Sequence, residues 1–103
     1  MQDRKKAAGI FEQLANEGHS DSQLWIGECY CYGGGVTEDW TKSVEWYRKS
    51  AEQGNRYGQD RLGNCYQWGW GVLKDIDIAV FWYRKSADQG HEDAIFWLKQ
   101  LGK

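Results

Sequence analysis

The sequence predicts an all-α protein: a right-handed α-solenoid of stacked antiparallel helix pairs, about six helices in all. Three observations point there. The chain matches itself when shifted by 36 residues. Each period carries two apolar stripes at helical spacing, separated by glycines. The chain holds 13 Gly and no Pro, a composition suited to helices joined by glycine turns.

The self-match is dense. Gly18, Gly54 and Gly90 coincide, as do Ala15, Ala51 and Ala87. Gly27, Cys29 and Tyr30 fall on Gly63, Cys65 and Tyr66, while Gly33, Gly35, Val36 and Asp39 fall on Gly69, Gly71, Val72 and Asp75. The run Trp46-Tyr47-Arg48-Lys49-Ser50-Ala51 returns unchanged as Trp82 to Ala87. Such a period marks one supersecondary unit repeated along a stack. The reading is a single domain over 1–103, with a half-unit of second-helix type at 1–18, full units at 19–54 and 55–90, and a first-helix half-unit at 91–103.

The opening segment, about 3–17, carries Ala7, Ile10, Phe11, Leu14 and Ala15 on one face, matching the second helix of a unit. In the second copy the first helix is expected from about Tyr57 to Trp68, with Leu62, Cys65 and Tyr66 forming its stripe. Gly69 and Gly71 end it, and Asp75 is placed to cap the next helix, as Asp39 is in the first copy. The second helix is expected from about Ile76 to Gln89, with Ala79, Trp82, Tyr83, Ser86 and Ala87 as its packing face. The last segment, about 92–101, carries Ile95, Phe96, Leu98 and Leu101.

Composition excludes several classes. Lys and Arg total 13 against 15 Asp and Glu, a net charge of -2, which argues against sequence-independent nucleic-acid binding. No apolar run approaches the ~20 residues of a membrane span, so no membrane insertion is expected. The start shows no signal-peptide pattern, and three cysteines is an odd number; both lean toward a reducing, cytoplasmic setting. Cys29 and Cys65 read as small core fillers, and Cys31 as the one cysteine on the groove side. With no Cys-x-x-Cys and no matching His pair, neither a metal nor another cofactor is expected. His19 and His91 share a repeat position after a helix-ending glycine and read as turn or cap residues, so no nucleophile–histidine pair is expected. Gly33-Gly34-Gly35 lacks the Lys-Ser/Thr of a phosphate loop, and Gly69-Trp70-Gly71 shows its middle glycine to be dispensable.

The pattern Gln59, Leu62, Gly63, Cys65, Tyr66, Gly69, Gly71, Val72, Asp75, then Ala79, Trp82, Tyr83 and on to Gly90, resembles the Sel-one-like repeat (SLR) family, which is related to tetratricopeptide repeats. The resemblance implies a tetratricopeptide-like superhelix and a non-enzymatic adaptor that binds a protein or peptide. Ser43 and Ile78 depart from it, standing where Ala and Lys are usual, and Gly58 fills a small-residue position. By analogy with tetratricopeptide grooves, the first helices line the concave face. The ligand-facing residues would be Asp21, Leu24, Glu28, Cys31 and Tyr32, then Tyr57, Asp60, Asn64, Gln67 and Trp68, with Phe96 and Gln100 from the last helix. Arg61 and Trp25 would rim that face. Three carboxylates and no base in this set suggest a peptide with basic and apolar side chains.

Two alternatives are weighed beside it. The unfinished ends, with Ile10 and Phe11 on one side and Ile95, Phe96 and Trp97 on the other, could pair copies into a homo-oligomer. A carbohydrate-binding or carbohydrate-cleaving protein is suggested by 7 Trp, with Asp60 and Glu28 as the paired carboxylates. Against this, Trp46 and Trp82 are assigned by the repeat to packing.

Overall fold

A computed structural model describes residues 2–103 and contains six α-helices with no strand among them: α1 (Gln2–Asn16), α2 (Ser20–Tyr32), α3 (Trp40–Glu52), α4 (Arg56–Trp68), α5 (Ile76–Asp88) and α6 (Glu92–Gln100). Each helix packs chiefly on its neighbours in sequence, and the first helices α2 and α4 also touch each other. The stack measures 44 × 23 × 18 Å. It is a helical-repeat solenoid, as the 36-residue period predicts.

Local chemistry sets the boundaries. Gly33 and Gly69 take left-handed φ values of 69° and 73° and close α2 and α4, their N–H groups donating to Cys29 and Cys65 carbonyls. A side chain at either position would be strained. The carboxylates of Asp39 and Asp75 each accept a hydrogen bond from a backbone N–H three residues on. Their own N–H groups donate back to Tyr30 (2.8 Å) and Tyr66 (2.9 Å), tying each loop to the helix before it.

The core is divided along the stack, as expected where each unit contacts only its neighbours. One cluster joins Ala8, Ala15, Ile26 and Tyr30. The central one joins Val44, Tyr47, Ala51, Leu62, Cys65 and Trp82. The third joins Ala79, Tyr83 and Ala94, with Trp97, Leu98 and Leu101 packed against it. Ile26 and Leu62 hold the same repeat position and are both fully buried.

Polar groups repeat with the same register. Ser50 Oγ donates to the Ser20 carbonyl (2.9 Å), and Ser86 Oγ to the Arg56 carbonyl (2.7 Å). Gln23 Nε2 donates to the Ala15 carbonyl and Gln59 Nε2 to that of Ala51. Ser43, a departure from the family pattern, donates its hydroxyl to the Gly27 carbonyl at 2.8 Å, so burying it leaves no polar atom unsatisfied. Gly58 has a packing reason: a Cβ there would lie 2.8 Å from Ser50 Cβ and 3.0 Å from Ala51 N.

Candidate functional site

The adjacent helices α2 and α4 present two connected depressions. The first holds about 470 Å³ and is lined by Asp21, Leu24, Trp25, Glu28, Tyr57 and Arg61. The second holds about 240 Å³ between Cys31, Tyr32, Trp40, Tyr47, Arg61, Asn64, Cys65 and Trp70. Arg61 belongs to both, so they form one groove with a guanidinium at its middle. A further depression of about 470 Å³ lies on α5 among Asp77, Val80, Phe81, Arg84, Lys85 and Asp88. Volume does not separate it from the groove. Composition does, because the α5 hollow is walled largely by charged side chains and has Phe81 as its one ring.

Helical spacing brings one edge of α2 and α4 to the groove. Asp21, Leu24, Glu28, Tyr57 and Asn64 line it or lie beside it, and Tyr32 stands 75% exposed at its end. Trp68 is half-exposed, and Phe96 and Gln100 are exposed on α6. Three residues of the expected set are buried instead. Cys31 is buried though it still lines the floor of the second depression, and burial, then the Glu28 charge, pushes its thiol above the ordinary range. It is therefore a weak nucleophile, and it shares the groove side with Cys65. Gln67 is taken up by packing: the Tyr83 hydroxyl lies 2.6 Å from both Gln67 Oε1 and Asn64 Oδ1 and shares its single proton between them. Asp60 is 1% exposed. Differing between copies does not place a side chain at the surface when the next helix pair covers it.

The charge of the groove is also other than expected. Arg61 Nε donates to Glu28 Oε1 at 2.6 Å, and its Nη1 donates to Asp60 Oδ2 at 3.0 Å. Two of the three expected carboxylates thus share one base. The Asn55 side chain donates to the third, Asp21, at 2.7 Å. Arg61 reduces the acidic excess of this set without cancelling it, since the Asn55 amide on Asp21 carries no charge. Burial alone would lower the Arg61 pKa, but the hydrogen bond and charge of Glu28 push it up. Asp60 is also pushed up, because its burial outweighs the lowering from His91 and Arg61. The pair is therefore lopsided: Glu28 is the stronger partner of Arg61.

Exposed and half-buried rings form a chain. Trp40 tilts on Trp70 (5.4 Å), Trp70 stacks on Trp68 (6.2 Å), Trp68 meets Trp97 edge-on (5.8 Å), and Trp97 meets Phe96 (5.0 Å). Phe11 stacks on Trp25 at 5.9 Å, which draws one end of the stack toward the groove. Sequence reasoning passed over Trp40 and Trp70. The available signal was an indole at 70 where the first copy has Gly34. His91 holds its expected place in the turn, at the N-cap of α6. It makes no side-chain cap and turns toward Asp60, with Nε2 3.6 Å from Oδ2.

Among the described residues, no helix is long and apolar enough to cross a membrane. The family model for the Sel1 repeat matches residues 1–19, 20–55 and 56–91. A solved Sel1 repeat protein from Oxalobacter formigenes is 38% identical, with a TM-score of 0.86 over 88% of this chain and 26% of its own. Protein c5321, described as a protective antigen of uropathogenic Escherichia coli with an SLR fold, is 34% identical, with a TM-score of 0.89 over 95% of this chain and 22% of its own. Helicobacter pylori cysteine rich protein B is 25% identical, with a TM-score of 0.84 over 88% of this chain and 68% of its own. The chain thus spans about a quarter of the length of the first two. No curated protein matches it. Proteins built from this repeat are in general protein-interaction scaffolds. With the repeat model matched across three successive segments and the helical stack in register with it, the chain belongs to the Sel1 repeat family.

Proposed function

We propose that this chain is a non-enzymatic interaction module that binds an extended peptide or protein segment along the α2–α4 groove. The observation that carries the reading is the pairing of a mixed groove, with Arg61 at its centre, and exposed rings along it: Trp25, Tyr57, Tyr32 and Trp70. Large rigid rings supply contact area at small entropic cost, and a central charged pair gives register. The Glu28–Arg61 pair can both accept and donate hydrogen bonds, so the favoured segment carries apolar anchors and a polar centre rather than a run of bases. Proteins of this family generally mediate protein–protein contacts, which agrees with this reading.

The test is a peptide-display selection on the immobilised protein, followed by affinities for the selected peptides. Tyr57→Ala and Trp25→Ala should each weaken binding by about tenfold, the ordinary size of an aromatic anchor. Phe81→Ala, on the α5 hollow, should leave affinity unchanged. Equal affinity for all three variants would move the binding surface elsewhere.

A further inference from the structure

A second site lies at the junction of α4 and α6, built by three residues outside the groove's exposed rings. Asp60 comes from α4, His91 immediately precedes α6, and Asp93 is in the first turn of α6. One donor atom from each lies within 4.8 Å of the others. His91 Nε2 is 3.6 Å from Asp60 Oδ2 and 3.8 Å from Asp93 Oδ2.

Two buried atoms there have no hydrogen-bond partner: Asp60 Oδ1 and His91 Nε2. Burying a carboxylate oxygen and a ring nitrogen without partners is costly, so such atoms call for an explanation. The rest of each side chain is well held. Arg61 fixes Asp60 through Oδ2, leaving Oδ1 free. The Tyr57 ring packs edge-on against the imidazole at 5.1 Å, which sets its plane. A hydrogen-bonded carboxylate and an oriented imidazole are what metal ligands ordinarily have behind them.

The repeat gives an independent comparison. The same three positions in the preceding layer are Leu24, Asn55 and Tyr57. There Leu24 and Tyr57 line the groove, and Asn55 accepts hydrogen bonds from the Tyr57 and Gly58 N–H groups as a helix cap. In the α4–α6 layer all three become metal-ligand types, and the cap is given up, since His91 makes none. At these positions the side-chain cap and the apolar lining give way to the Asp60–His91–Asp93 cluster.

We propose that Asp60, His91 and Asp93 bind one divalent transition-metal ion of the zinc class. One imidazole and two carboxylates form a three-ligand set that leaves a coordination position open. Ligand atoms on a tetrahedral ion stand roughly 3.4 Å apart, given bond lengths of about 2.0–2.2 Å. The observed 3.6 and 3.8 Å need a contraction of a few tenths: the exposed Asp93 side chain can turn to close the second, and a small rotation of the His91 ring closes the first. The Arg61 charge beside Asp60 works against a cation, but Glu28 at 2.6 Å neutralises it. Bound metal would join α6 to α4 and so stabilise the C-terminal end of the stack.

The experiment titrates the purified full chain with zinc chloride, read by calorimetry and by thermal unfolding, with cobalt as a spectroscopic probe. One ion per chain is expected, with a raised Tm and a cobalt spectrum free of thiolate charge transfer. Asp93→Asn, an exposed change that leaves packing intact, and His91→Gln should each weaken binding by at least about tenfold. Absence of binding to the wild-type chain would overturn the proposal. So would binding unaltered in both variants, or a thiolate band placing the ion on the cysteines.

Discussion

Gly63 lies under the ring of Tyr83 so closely that a methyl group on it would stand 2.6 Å from Cε1 and 2.7 Å from Cδ1. The first copy repeats the contact: a Cβ on Gly27 would stand 2.8 Å from the same two carbons of Tyr47. In both copies the glycine stands where a tyrosine ring of the following helix packs on it. Gly63→Ala should therefore destabilise the protein by about 2 kcal/mol, overpacking outweighing the better helix propensity of Ala. Urea unfolding measures this, and adding Tyr83→Leu should recover part of the loss.

Arg61 joins Glu28 to the buried Asp60. Removing it leaves a carboxylate out of water with its strongest hydrogen-bond donor gone. Arg61→Leu should cost about 2 kcal/mol, at the low side for breaking a buried pair because the Arg61 side chain is 36% exposed. Combining it with Asp60→Leu should restore much of that stability. A double-mutant cycle from chemical denaturation gives both values.

Helix starts differ in how they are capped. Asp75 accepts from the Ile78 N–H, so Asp75→Ala should cost about 1 kcal/mol. His19 is exposed and makes no side-chain cap on α2. Asn55, at the same repeat position, accepts two such bonds. His19→Asn should therefore stabilise the chain by about 0.5–1 kcal/mol, seen as a rise in Tm.

Burial pushes the Cys65 thiol up to about 12. It also raises the Tyr47 and Tyr83 phenols far above their usual range. All three groups are favoured in their protonated forms by the fold. Their contribution is thus complete below the ordinary thiol pKa, about 8.5, and is lost as pH rises toward the folded values. Unfolding free energy should fall steadily above about pH 9. Alkylation at pH ~8 should leave Cys65 unmodified until the chain is unfolded. Ready labelling of the native protein would contradict the burial that raises this thiol.

Much of the fold was legible in the residues. The 36-residue period located the hairpins, and the glycines and aspartates at their bends marked where helices stop and start. These are local effects, decided by backbone freedom and free N–H groups within one turn. The groove was legible only in outline. Asp60 and Gln67 look like surface polar residues on a helical wheel, yet both are buried, Gln67 against Tyr83 of α5 and Asp60 beside Arg61 and His91. Trp40 and Trp70 belong to a row of rings that forms only when three separate segments meet.

By itself the sequence determined the repeating unit, its helix ends and the residues that hold one layer on the next, because periodic spacing and turn chemistry act over a few residues. The tertiary structure alone decided which charges meet. Glu28 and Arg61 are 33 residues apart, and Asp60 and His91 are 31 apart; each pair meets across adjacent layers. Electrostatic partnership depends on distance in space and on exclusion of water, and neither is written in the spacing along the chain.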